Sequence, residues 1–281
     1  MNIFYAILLG IIQGLTEFLP ISSTAHLTLA GKLLNLIDPA HPEAWTEFIA
    51  VIQLGTVAAV IIYFWKDLWG MLMALLGDLR KKEGPGGRFT DRSRMAMYIV
   101  IGTLPVAFLG LTLKRIIEGS LTKTTIVIAA SMIALALLLW LAERIARHQK
   151  EISQVTWVDA LVIGFAQACA LIPGSSRSGT TITAALFLGF TRETAARFSF
   201  LLSIPAVVAS GLYELKEIHG HFDLGLGNLV ISTLVSGVVG YAAIAWLLKY
   251  LMRHTTMVFV YYRIFLGLLL IVLLMNGLME P

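Results

Sequence analysis

Six stretches of this 281-residue chain are each about twenty residues long and almost wholly apolar. They fall near 44–65, 93–113, 124–142, 195–214, 226–248 and 256–277. A helix needs roughly 20 such residues to cross the hydrocarbon core of a bilayer. A water-soluble globule has no room to bury six of them. Charged residues make up only 14% of the chain, where a soluble domain carries about 25%. Apolar residues reach 58% and the mean hydropathy is +0.83. These values exclude a soluble enzyme and a disordered chain. A disulfide scaffold is excluded too, because Cys169 is the single cysteine and has no internal partner. The expectation is an all-α, polytopic membrane protein forming one membrane domain over 1–281. The net charge of +4 reads as basic loops on one side of a membrane, with no nucleic-acid partner. The opening MNIFYAILLGIIQGLTEFLP lacks a basic n-region and a small-residue cleavage site, so it is expected to belong to the mature fold.

Two further apolar stretches, 2–36 and 155–189, are broken near their middles by Pro, Gly and clustered hydroxyl residues. Irregular backbone at membrane depth is tolerated only where protein or a water-filled cavity surrounds it. Each stretch therefore reads as a re-entrant pair of half-helices that leaves on the side it came from. The two resemble each other. Gly10-Ile11-Ile12-Gln13 is matched by Gly164-Phe165-Ala166-Gln167, and Leu19-Pro20-Ile21-Ser22-Ser23-Thr24 by Ile172-Pro173-Gly174-Ser175-Ser176-Arg177. The offset is 154 residues at Gln and 153 at Pro. Each broken stretch precedes three spans, an odd number, so the second unit lies upside down relative to the first. The expectation is an inverted-topology repeat, 1–142 and 155–281, with two broken tips meeting near the bilayer midplane.

Charge sets the orientation. If 66–92 is a cytoplasmic loop, that side carries Lys66, Arg80, Lys81, Lys82, Arg88, Arg92, Arg94, Arg144, Arg147, Lys150, Arg192, Arg197, Lys249 and Arg253. The other side carries Lys32, Lys114, Arg115, Lys123 and Lys216. The basic excess lies inside. Both termini and the mouth of the first re-entrant pair are then outside. The segment 77–92, with Gly84-Pro85-Gly86-Gly87, reads as a solvated connector.

Four ionisable residues fall at membrane depth: Glu17, His26, Arg177 and Arg263. A charge there costs at least about 2.5–3.5 kcal/mol on insertion scales and marks a functional site when it faces the bundle interior. Arg263, near the start of the last span, reads instead as a residue that snorkels or fixes packing. In the second tip, Pro173 ends one half-helix and Gly174 permits a tight turn. Ser176 or Ser178 caps the next. Its backbone N–H groups and dipole form an anion site, and Arg177 adds a fork of donors suited to phosphate oxygens. Ser175, Ser176, Ser178, Thr180 and Thr181 add hydroxyls. In the first tip, Gln13 and Glu17 share a helical face, Ser22 or Ser23 caps the next half-helix, and His26 follows three residues after Ser23. Glu17, Ser23 and His26 supply a carboxylate base, a candidate nucleophile and a proton carrier. Gln53 and Gln167 fit either ligand orientation or helix packing. The Trp and Tyr residues read as interfacial anchors.

Over nearly its whole length the chain resembles the undecaprenyl-diphosphate phosphatase family of the bacitracin-resistance type. The family's [E/Q]xxxE motif is similar to Gln13-Gly14-Leu15-Thr16-Glu17. Its PGxSRSxxT motif matches Pro173-Gly174-Ser175-Ser176-Arg177-Ser178-Gly179-Thr180-Thr181 at every fixed position. The segment from Phe18 to His26 is also similar. The resemblance implies a bacterial inner-membrane enzyme that removes the terminal phosphate of a C55 polyprenyl diphosphate and recycles the carrier for peptidoglycan synthesis. It implies bacitracin resistance, a divalent cation (Mg or Ca) held in part by Glu17, a homodimer, and a site reached from the outer face. It assigns function to Glu17, Ser23, His26, Arg177, Ser176 and Thr181. Gln13, Ser22, Thr24, Gly174, Ser175 and Ser178 complete the expected head-group site. Many members have Glu where this chain has Gln13, which weighs against a two-carboxylate metal site. Ser23 is the preferred nucleophile; a phosphohistidine at His26 and direct attack by water stay open. A transporter of a polyprenyl phosphate lipid is the other reading, since inverted repeats with broken helices also build transporters.

Overall fold

Among the described residues of the computed structural model, the apolar runs and their breakers dictate eleven α-helices: α1 (Ile3–Phe18), α2 (Ser23–Leu33), α3 (Pro42–Tyr63), α4 (Trp65–Arg80), α5 (Asp91–Thr112), α6 (Thr125–Ile145), α7 (Trp157–Ala168), α8 (Arg177–Phe187), α9 (Arg192–Glu217), α10 (Leu226–Leu251) and α11 (Met257–Met275). The structure describes residues 1–38, 42–80, 89–113, 124–217, 225–277 and 279, without the side chains of 42, 43 and 214–217. Among the described residues, six helices (α3, α5, α6, α9, α10 and α11) contain stretches long and apolar enough to cross a membrane. They coincide with the six apolar runs to within a few residues. The chain is an all-α polytopic membrane protein.

The broken stretches are helix pairs. In the first, α1 stops at Phe18 and α2 starts at Ser23. Met1, Leu36 and Ile37 pack on the same cluster, around Leu9, Leu27 and Phe48, so the pair returns to the end it started from. In the second, α7 passes through a 3-10 turn, Cys169–Leu171, before α8 starts at Arg177. Its two outer ends also lie together. Lys150 Nζ donates to Asp159 at 2.5 Å, and the Lys150 N–H donates to the Gly189 carbonyl at 2.9 Å. The two pairs open at opposite ends of α6. Lys32, at the end of α2, reaches Thr125 at one end of α6. Arg192, beyond α8, grips Glu143 at the other. That second end also gathers Asp67, Glu193, Arg197 and Lys249 around a cavity of about 340 Å³. Lys81, Lys82, Arg88, Lys114, Arg115 and Lys123, the Gly84–Gly87 turn, and the side chain of Lys216 lie outside the described residues.

One expectation is corrected. Residues 65–80 are not loop but α4, a sixteen-residue helix set off from α3 at Phe64. It exposes Trp65, Trp69, Leu72, Met73, Leu76 and Leu79 on its apolar side. Its buried Asp78 accepts from the Thr90 N–H at 2.7 Å and from Ser93 Oγ at 2.6 Å, which ties its end to the start of α5. Lys66, Asp67, Asp78 and Arg80 interrupt the apolar run and disguise an amphipathic helix as polar sequence.

Small residues let the half-helices dock closely. α1 lies along α10, and α7 lies along α5. At the second crossing a Cβ on Gly164 would fall inside contact distance of the Gly102 carbonyl. Backbone cannot yield as a side chain does. Gly164→Val is therefore expected to lower stability by about 1–3 kcal/mol, read as an earlier thermal unfolding midpoint in detergent. An unchanged midpoint would contradict the close crossing.

Candidate active site

Each tip turns on a strained serine. Ser22 caps α2 at φ 76°, and its Oγ accepts from the Ala25 N–H at 3.3 Å. Ser176 caps α8 at φ 68°, and its Oγ accepts from the Gly179 N–H at 3.2 Å. Left-handed backbone at a non-glycine residue costs of order 1–3 kcal/mol and collects at functional sites. The two caps are 154 residues apart, the same offset as the two Gln residues. The slip at Pro arises because two steps separate Pro20 from its cap and three separate Pro173 from Ser176.

The tips meet at Glu17, which is 7% exposed. Its Oε1 accepts from Arg177 Nη2. Its Oε2 accepts from Ser23 Oγ at 2.7 Å and from Gln13 Nε2 at 3.0 Å. Ser23 and Arg177 are the first residues of α2 and α8. The carboxylate thus lies between two helix N-termini, where the dipoles favour negative charge. Further bonds cross the junction. Ser178 Oγ donates to the Leu19 carbonyl at 3.0 Å, and Arg177 Nη1 donates to the Ser203 carbonyl at 3.4 Å. Thr181 Oγ1 bonds Ser199 Oγ at 2.6 Å. Gly174 makes the predicted turn at φ 89°, and Ser131 Oγ donates to the Pro173 carbonyl at 2.6 Å. Thr24 is half-buried in the first turn of α2. Ser175 Oγ, Gln13 Oε1 and both amide atoms of Gln167 are buried without a partner among the described residues. Such atoms accept a water or a ligand. Gln53 is only half-buried.

His26 stands beside this group, not within it. Its Nδ1 lies 2.7 Å from the Ser22 carbonyl. A carbonyl only accepts, so Nδ1 carries the proton. Nε2 is then the acceptor and takes a hydrogen bond from the Tyr262 hydroxyl at 2.5 Å. The two rings stack at 5.5 Å and 9°. The hydrogen bond of Ser23 therefore goes to Glu17, and that of His26 Nε2 goes to Tyr262. Spacing could not have shown Tyr262, which is 236 positions away in the chain. Tyr262 is 40% exposed, and Ser23, His26 and Arg177 are part-buried, so the site has an open edge.

Arg263 corrects the snorkelling expectation. It is fully buried. Nη1 donates to the Pro20 carbonyl at 3.2 Å, Nη2 to those of Gly174 and Ser175 at 3.2 and 3.0 Å, and Nε to that of Met132 at 3.2 Å.

A divalent cation finds few protein ligands here. Among the described residues no three His, Cys, Asp or Glu side chains gather. Glu17 and the unpartnered Gln13 Oε1 offer two oxygens. Mg²⁺ is commonly held by one or two carboxylates together with substrate phosphates. The residues fit an ion that shares its coordination with a diphosphate and do not fit an all-protein cage.

Residues 6–269 match the family model described as bacitracin resistance protein BacA. A Syntrophobacter fumaroxidans protein named undecaprenyl-diphosphatase is 56% identical over 273 residues, covering 95% of each chain. A Myxococcus xanthus protein of the same name is 49% identical, covering all of this chain and 92% of its own. One from Chlorobaculum tepidum is 47% identical over the full length of both.

Proposed function

Because the chain belongs to the bacitracin resistance protein BacA family, we propose that it is an undecaprenyl-diphosphatase. It hydrolyses undecaprenyl diphosphate to undecaprenyl phosphate and inorganic phosphate, which returns the lipid carrier to peptidoglycan synthesis and confers bacitracin resistance. The observation that carries the mechanism is Glu17, held between Ser23 and Arg177 at two opposed helix starts.

The terminal phosphate lies over the N-termini of α2 and α8. Glu17 takes the proton of Ser23 as Oγ attacks phosphorus. The bridging P–O bond breaks and the lipid monophosphate leaves. Water then attacks the phosphoserine, freeing inorganic phosphate and restoring the Ser23 hydroxyl. Arg177 and the hydroxyls of Ser175, Ser176 and Ser178 stabilise charge developing on the phosphoryl oxygens. A divalent ion, when bound, supplies charge neutralisation at the diphosphate, with Glu17 and Gln13 as its protein ligands. His26, oriented by Ser22 and Tyr262, is available for proton transfer at the open edge. The matched cap serines and the equal offset at Gln13 and Gln167 support an internal duplication with the second copy inverted. An inner-membrane location, access from the outer face and a homodimer belong to the same proposal and come with the family.

Phosphate release from a polyprenyl diphosphate by purified protein in detergent, with and without chelator, tests the activity. Ser23→Ala is expected to abolish turnover while lipid binding persists. Substantial residual turnover would remove Ser23 as nucleophile, and labelled phosphate trapped on His26 would move the covalent step there.

A further inference from the structure

We propose that Arg263 is a positioning residue for this reaction: it holds the two broken tips in register and supplies the positive charge that the Glu17–Arg177 pair lacks. The inference rests on the phosphatase reading.

The register argument begins with the carbonyls. Half-helices that end inside a membrane protein leave backbone acceptors without intrahelical partners, and each one left bare in apolar surroundings is costly. Arg263 satisfies three at once, one from the first tip (Pro20) and two from the second (Gly174 and Ser175), while Nε anchors it to Met132 of α6. A planar guanidinium has five donors in a fixed fork, so these bonds fix distance and angle between the tips. Lysine has the charge without the fork.

The charge argument is separate. Arg177 faces Glu17, and their charges cancel. Arg263 has no carboxylate partner among the described residues. The three groups together carry a net charge of +1. Carbonyl partners leave that charge uncompensated beneath the tips, where it attracts a diphosphate that it does not touch.

Gly179 is a third observation. It lies in the first turn of α8, in a motif position with no chemistry of its own. A Cβ there would come within 2.6 Å of Arg263 Nη1, the same atom that bonds Pro20, and within 3.1 and 3.2 Å of Ser176 Cβ and Oγ. The glycine lets the guanidinium pass beneath the start of α8. Gly179→Ala therefore presses on the clamp from the opposite side and leaves Arg263 in the sequence.

The test uses purified full-length enzyme in detergent, with kcat and KM for a polyprenyl diphosphate and hydrogen–deuterium exchange at 19–24 and 172–178. Arg263→Lys and Gly179→Ala should each lower kcat by about tenfold to a hundredfold, the scale of a small misplacement of reacting groups. KM should stay within about threefold of the parent, and exchange should rise at both tips together. Arg263→Gln, which lacks the charge, should raise KM as well. A kcat within about twofold of the parent in both Arg263→Lys and Gly179→Ala, with unchanged exchange, would overturn the clamp. A parental KM in Arg263→Gln would remove its electrostatic part. Should Arg263→Lys not fold, Gly179→Ala decides by exchange at 19–24, the tip that its Cβ reaches only through Arg263: a rise there supports the clamp and parental exchange overturns it. Should the parent release no phosphate, the phosphatase reading fails, and the exchange data still decide whether Arg263 joins the tips.

Discussion

Glu17→Gln will lower kcat for phosphate release by about 10²–10⁴-fold, the range of a positioned general base, without raising KM. The amide keeps the shape of the side chain and still offers an oxygen to Arg177. It cannot take the proton that Ser23 Oγ now directs at the carboxylate across 2.7 Å. Arg177, which donates to Glu17 Oε1, loses its counter-charge and turns wholly to the substrate, so apparent affinity holds or improves. A loss of turnover with unchanged or lower KM marks an interaction made in the transition state. A Glu17→Gln enzyme that keeps more than a tenth of parental kcat would rule out Glu17 as the base.

Arg177→Ala will damage both activity and stability. The Glu17 side chain is 5% exposed and the Arg177 side chain 18%. Removing one partner of a buried ion pair leaves an uncompensated charge and costs about 3–5 kcal/mol. On the phosphatase reading, the substrate also loses the guanidinium proposed to stabilise its phosphoryl oxygens. The two effects separate in the double variant. Glu17→Gln with Arg177→Ala removes the stranded carboxylate, so its thermal midpoint should lie above that of Arg177→Ala alone, while turnover stays absent. A double variant less stable than either single one would mean that the two residues act independently, since coupled pairs are recognised by non-additivity.

The six spans were legible because nothing but a bilayer accommodates apolar runs of that length. The broken pairs were legible because Pro20 and Pro173 stand inside apolar sequence beside runs of serine. The encounter of Glu17 with Arg177 followed from topology and charge, and the cap at each tip was narrowed to two serines in advance. Three features stayed hidden, each for a physical reason. The charges of α4 masked its apolar side. Tyr262 acts on a residue in another helix, and no local pattern announces a partner so remote. Arg263 looked like an interfacial arginine because sequence arguments pair a charge with an opposite charge. Its partners are carbonyls, which every residue has and no sequence motif reveals.

The close docking of the first half-helices bears on which component moves. Gly10 and Gly14 of α1 rest against Ser232, Val235, Ser236 and Val239 of α10, and Gly164 of α7 rests on the backbone of α5 at Gly102. Shear between helices is a small sliding of packed side chains, and backbone carbonyls and stiff valines seated on glycine leave little freedom for it. The docked arms, α1 carrying Glu17 and α7 leading to Arg177, therefore have little room for the sliding that rocking-bundle exchange between leaflets demands. On the phosphatase reading, a fold built this way would bring the lipid head group to the two helix ends rather than carry it across.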